Sequence, residues 1–221
     1  TQMLARSLSA LLTSCAAISV RSAAVELDLT GSGWQLSKLS AAADGADTAT
    51  GTVTAVLQNA SVPGGVWDNL HRAQLVGDPL YRTNDLVYAN VTTQGPDIKG
   101  WTFKKVFDCP AAVANSKSTV MLEFGGLQTL AEVVLNGKHL LRADNMFRFQ
   151  RAVVPVGMLK TAGNVLTVDF TATPKDPGPL MSGGTNYPAP AALRDENDAW
   201  GWDWSPDLDP ISIWKGPVCI V

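Results

Sequence analysis

Asn136-Gly137 sits between two β-rich runs, Ala131-Glu132-Val133-Val134-Leu135 and Lys138-His139-Leu140-Leu141. Both centres of a type I′ turn need positive φ, which Asn and Gly adopt at low cost, so the pair predicts a tight hairpin. Its neighbours share the character. Trp101 to Phe107 alternates apolar and polar residues, with Val106 as the one extra apolar side chain. That period of two belongs to a half-buried strand. Val120 to Phe124 forms another run, which Gly125-Gly126 is expected to close. Phe147 to Val156 and Val165 to Thr171 supply two more, the latter setting Leu166, Val168 and Phe170 against Val165, Thr167 and Asp169. Regularly spaced strands without helical periodicity predict an all-β sandwich or jelly roll.

Outside this core the sequence is more varied. Ala41 to Thr54 is small, polar and turn-rich and reads as a surface loop. After Gly64-Gly65, Val66, Leu70 and Ala73 fall on one face of a short helix running from Val66 to Ala73. Pro174, Pro177, Pro179, Pro188 and Pro190, with Gly178, Gly183 and Gly184, exclude regular structure from 174–190. Gly216-Pro217 interrupts the run from Ile211 to Val221, which leaves the pairing of that last strand open.

Composition removes several classes of function. The chain has 221 residues, a formal net charge of −3, two His and three Cys. An acidic balance offers no basic footprint for nucleic acid or an anionic membrane surface. His71 and His139 lie far apart and read as surface residues, and the cysteines have no metal-ligand spacing, so neither a metal nor a cofactor is expected. Arg6, the apolar run from Leu8 to Val20, and Ser22-Ala23-Ala24 describe a secretory signal peptide over 1–24. The run is too short to span a bilayer as a mature helix. Sequons at Asn59 and Asn90 fit the same route as N-glycosylation sites. A secreted or lysosomal location is therefore expected. Cys109 and Cys219 would remain after cleavage, and an oxidising compartment would permit a bridge between them.

Chemistry concentrates in Trp200-Gly201-Trp202-Asp203-Trp204-Ser205-Pro206. Three of the seven tryptophans fall within five residues. In an extended segment, alternation would put all three rings on one face. An indole face covers the apolar C–H face of a pyranose, while a carboxylate accepts hydrogen bonds from sugar hydroxyls. Asp203 is the natural acceptor, with Arg194 or Asp195 able to help from the flank. The residues alone leave a second reading open, in which the indoles plug one end of the sandwich.

Four patterns together resemble the N-terminal part of the β-mannosidases of glycoside hydrolase family 2. They are Val62-Pro63-Gly64-Gly65-Val66-Trp67-Asp68-Asn69-Leu70, then Asp78-Pro79-Leu80-Tyr81-Arg82-Thr83-Asn84-Asp85. The third is Val134-Leu135-Asn136-Gly137 followed by Ala143-Asp144-Asn145-Met146-Phe147-Arg148, and the fourth is Gly201-Trp202-Asp203-Trp204. They occur in the family's order.

The resemblance implies a galactose-binding-like jelly-roll β-sandwich over 25–221, with one short helix. It implies the N-terminal domain of a retaining glycosidase that hydrolyses terminal β-D-mannose residues. The catalytic pair would come from a downstream (β/α)₈ barrel of the same polypeptide, since a barrel alone needs about 250 residues. This chain's Glu26, Glu123, Glu132 and Glu196 have no counterpart in the family's catalytic context, and no catalytic residue is expected here. By the same resemblance, Asp203 helps bind the terminal sugar, Trp202 and Trp204 wall its loop, and Asn84 and Asp85 lie on the same rim. Two positions depart from the pattern: Ser205 stands where the family has Gly, and Asp195 where it has Lys. The alternative is a free-standing carbohydrate-binding or interaction module without hydrolase activity.

Overall fold

The computed structural model describes residues 26–40, 53–84, 98–172, 193–196, 208 and 210–221. The expected signal peptide, Asp85, Asn90, the Pro-rich stretch and Trp200 to Pro206 lie outside those residues. The strands are β1 (Leu27–Asp28), β2 (Gly31–Ser40), β3 (Val53–Val62), β4 (Gly64–Gly65), β5 (Ile98–Phe107), β6 (Val120–Gln128), β7 (Ala131–Leu135), β8 (Lys138–Ala143), β9 (Gln150–Val154), β10 (Asn164–Thr171) and β11 (Ser212–Ile220). Helix α1 (Val66–Arg72) follows β4, and a single turn, α2 (Ala111–Ala114), follows β5.

These strands form two antiparallel sheets. One runs β1-β11-β6-β9, with β4 also paired to β11; the other runs β3-β2-β5-β10-β7-β8. Register explains the separation of the faces. Leu36, Phe103, Val168 and Val133 are cross-strand partners across β2, β5, β10 and β7, and all four are fully buried. One residue further along, Ser37, Thr102, Asp169, Glu132 and Arg142 form the next row, pointing to the opposite face. The same core takes in Leu122, Phe124, Ile213, Val218 and Ile220 from the other sheet. Burying each such side chain contributes roughly 1.5–3 kcal/mol. Phe103 and Phe170 add an edge-on ring contact, with centroids 5.7 Å apart.

The expected hairpin is present, with Asn136 at φ 51° and Gly137 at φ 79°. The Asn136 side chain also accepts from the Val165 amide at 2.9 Å and donates to the Met158 carbonyl at 2.8 Å. Helix α1 is seated by Asn69. Its Oδ1 accepts from Ser61 N at 2.7 Å, and its Nδ2 donates to the carbonyls of Ser61 and Gly65 at 3.1 and 2.8 Å.

Several expectations are corrected. Gly125-Gly126 does not end a strand, because β6 continues to Gln128. The glycines serve close approach: a Cβ on Gly125 would lie 1.9 Å from the carbonyl oxygen of Gly216. Gly216-Pro217 does not end pairing either. Strand β11 passes through it between β1 and β6, with register shifts that accommodate the proline without a ladder donor. Val53 and Thr54, assigned by sequence to a loop, begin β3. Strand β9 is shorter than the run from Phe147 to Val156, since Phe147 and Phe149 precede it exposed. Cys109 and Cys219 are both buried free thiols.

Candidate functional site

The C-terminal end of β6 carries a polar cluster at the foot of the segment that leads into the Trp-rich stretch. Gln128 is buried and fully engaged. Its Oε1 accepts from Ser212 Oγ on β11 at 2.8 Å, and its Nε2 donates to Asp195 Oδ1 at 2.8 Å and to Glu196 Oε1 at 3.2 Å. The thioether of Met146 lies 3.6 Å from the same Nε2. One amide therefore ties β6, β11 and the 193–196 segment together.

The backbone of that segment is held as well. Met146 N donates to the Arg194 carbonyl at 3.0 Å, inside a parallel bridge between Asn145 and Arg194. Alternation along the chain then sends Arg194 outward, exposed, while Asp195 turns inward at 5% exposure. Burial raises the Asp195 pKa above its usual value. The Thr129 hydroxyl, Gln128 and the Glu196 amide partly oppose that rise. Thr129 Oγ1 and Asp195 Oδ2 are buried without an aligned hydrogen-bond partner, although the hydroxyl is close enough to act on the carboxyl. Asp195 is thus removed from the flanking sugar acceptors considered from sequence, whereas Arg194 keeps its access to solvent.

Aromatic and cationic groups flank the bridge in sequence and, at Trp214, in space. Trp214 is 39% exposed and donates from Nε1 to the Met146 carbonyl at 3.1 Å. The Lys215 ammonium lies 5.7 Å from its ring centroid. Phe147 lies two residues after Asn145, whose Oδ1 accepts from the Phe147 amide at 3.0 Å. Phe149 is 47% exposed with the Arg151 guanidinium over its ring. An exposed indole such as Trp214 can stack on a sugar face, and the outward Arg194 can donate hydrogen bonds to its hydroxyls.

A glycosyl hydrolase 2 galactose-binding domain-like family model matches residues 34–215. The chain belongs to that family. Among curated relatives of this galactose-binding-like domain, β-mannosidase B of Aspergillus terreus is 34% identical over 166 residues, covering 71% of this chain and 19% of that protein. β-Mannosidase B of Aspergillus oryzae is 32% identical over 162 residues, covering 70% and 18%. The crystal structure of β-D-mannosidase from Dictyoglomus thermophilum superposes with a TM-score of 0.68 at 26% identity, over 89% of this chain and 22% of that one. The chain thus spans about a fifth of the length of the relatives it matches. It is homologous to part of those enzymes.

The other sequence candidates divide. Asn84 closes the 78–84 turn, donating from Nδ2 to the Asp78 carbonyl at 2.8 Å and from its amide to the Tyr81 carbonyl at 3.2 Å. Asp203, Trp202, Trp204 and Asp85 fall outside the described residues. Asn59 is exposed at φ 65°, its Oδ1 accepting from Gly33 N at 2.9 Å. Of the glutamates, Glu123 pairs with Arg151 at 2.7 Å and Glu132 with His139 and Arg142. Gln128 escaped the sequence reading because a glutamine at the end of a strand carries no motif of its own. Its distinguishing feature, the hydrogen bond to Asp195, joins residues far apart in the chain and leaves no local trace.

Proposed function

We propose that this chain is the N-terminal domain of a β-mannosidase that removes terminal β-D-mannose residues with retention. It supplies part of the sugar pocket, and a downstream (β/α)₈ barrel of the same polypeptide supplies the acid/base and nucleophile. The observation that carries this reading is the likeness, over 70% or more of the chain, to proteins named β-mannosidase B. The exposed Arg194 and Trp214 beside the pinned 193–196 segment support it, because they put a cation and an indole on one rim. Asp203 is the sugar ligand in this reading, Trp202 and Trp204 wall it, and Asn84 and Asp85 are secondary rim residues. The protein travels the secretory route to a secreted or lysosomal location, its 1–24 segment being the signal peptide, with glycans at Asn59 and Asn90. An exposed Asn59 is compatible with that modification.

The test is Asp203→Ala in the full-length protein, assayed with p-nitrophenyl β-D-mannopyranoside. Loss of a charged hydrogen bond worth about 1.5–3 kcal/mol should lower kcat/KM by roughly 10- to 100-fold without shifting Tm. An unchanged kcat/KM overturns the Asp203 assignment. Preference for the β-galactoside or β-glucuronide overturns the mannosidase reading.

A further inference from the structure

We propose that Asp195 is a positioning residue, clamped by Gln128 so that the 193–196 segment presents Arg194 on the rim it shares with Trp214. This rests on the β-mannosidase reading and adds to it a role for a residue that departs from the family pattern. Four observations carry it. The Asp195 carboxyl is buried at the sheet end rather than on the rim. Its Oδ1 takes two donors, Gln128 Nε2 at 2.8 Å and the Glu196 amide at 2.9 Å. Gln128 is itself fixed by Ser212 on β11. The Arg194 backbone is fixed independently by Met146 N.

With the carbonyl of residue 194 and the side chain of residue 195 both anchored, the Arg194 side chain has one direction left, toward solvent. The departure at Asp195 then makes local sense. A lysine there would bring an ammonium to Gln128 Nε2, donor against donor, whereas a carboxyl oxygen meets two donors. Thr129 Oγ1 and Asp195 Oδ2 lack aligned partners, so a hydroxyl or amide donor on the second carboxyl position completes the cluster. Asn at 195 provides that donor and keeps the acceptor.

The experiment uses the full-length protein and four forms: wild type, Asp195→Ala, Asp195→Asn and Asp203→Ala. Steady-state kinetics with p-nitrophenyl β-D-mannopyranoside are measured well below each Tm. Trypsin cleavage of the Arg194–Asp195 bond is followed in parallel on the native protein. Asp195→Ala should raise KM about tenfold or more, leave kcat within about threefold, and speed cleavage after Arg194 at least tenfold. Asp195→Asn should restore both KM and protection to within about twofold of wild type. A wild-type KM and wild-type protection in Asp195→Ala overturn the inference. So does an Asn variant as impaired as the Ala variant. If Asp203→Ala is silent, the sugar-site reading fails instead, and the cleavage rates alone decide whether the clamp exists.

Discussion

Gly126 and Trp214 occupy one space: a Cβ at 126 would fall 2.3 Å from the Trp214 indole nitrogen. That nitrogen donates to the Met146 carbonyl, so a single glycine on β6 lets an indole on β11 reach the loop that holds Arg194. Gly126→Ala should therefore push the ring aside, break that bond and cost about 1–3 kcal/mol. Urea unfolding followed by tryptophan emission checks both effects. An unchanged midpoint would mean that the indole has room to move.

The hairpin offers a cleaner case, because nothing lies within 4 Å of a Cβ built on Gly137. Only its φ of 79° opposes a side chain. Gly137→Ala should cost about 1–2 kcal/mol through backbone strain alone. Thermal unfolding measures it, and the same substitution at Gly126 should differ by also disturbing tryptophan emission.

Asp195 predicts a pH dependence of stability. Burial raises its native pKa, while the unfolded carboxyl titrates near 3.9. Below that value both states hold the proton and the native state carries no penalty. As pH rises through the unfolded and then the native pKa, the unfolded state releases its proton first and stability falls. Asp195→Asn removes this dependence. The stability difference between Asn variant and wild type should grow from about pH 4 upward in favour of the variant, then level off. Urea titrations across that range would show it, and a constant difference would contradict it.

Cys219 should be unreactive in the native protein. Burial first, then the charges of Glu26, Glu123 and Asp28, pushes its thiol up to about 11 from an ordinary 9.0. At pH 8 that leaves about a hundredfold less thiolate than an unperturbed cysteine has. Labelling by a thiol-specific disulfide reagent should be slow before unfolding and complete after it. Cys109, also buried with a raised pKa, should follow the same course.

Asn69→Ala should be the most damaging of these changes outside the core. It removes one acceptor and two donors that join α1 to the end of β3. Buried groups left without partners cost about 1–3 kcal/mol each. Circular dichroism and a urea midpoint would measure the loss.

What was legible in the sequence was whatever repeats or turns. Alternation from Trp101 to Thr171 and the Asn136-Gly137 pair marked most of the second sheet, and the spacing of Val66, Leu70 and Ala73 marked α1. Strands β2 and β3 were missed because Gly31, Gly33 and Asn59, all at positive φ, break the pattern with register shifts that only the partner strand reveals. Gly125, Gly126 and Gly216 were read as breakers, whereas their function is distance between backbones and an indole, which sequence does not encode locally. Asp195 was read by its charge as a rim residue. Its burial depends on Gln128, sixty-seven positions away in the chain.

Strand β11 bonds to β1 and β4 at one side and to β6 at the other. The seam of the smaller sheet is thus the part made last, after every strand it joins. During synthesis, β1 and β6 wait with open edges until residues up to Ile220 have emerged, and an open edge recruits whatever strand comes first. Premature termination anywhere before Ser212 should therefore yield not a smaller domain but an aggregating one.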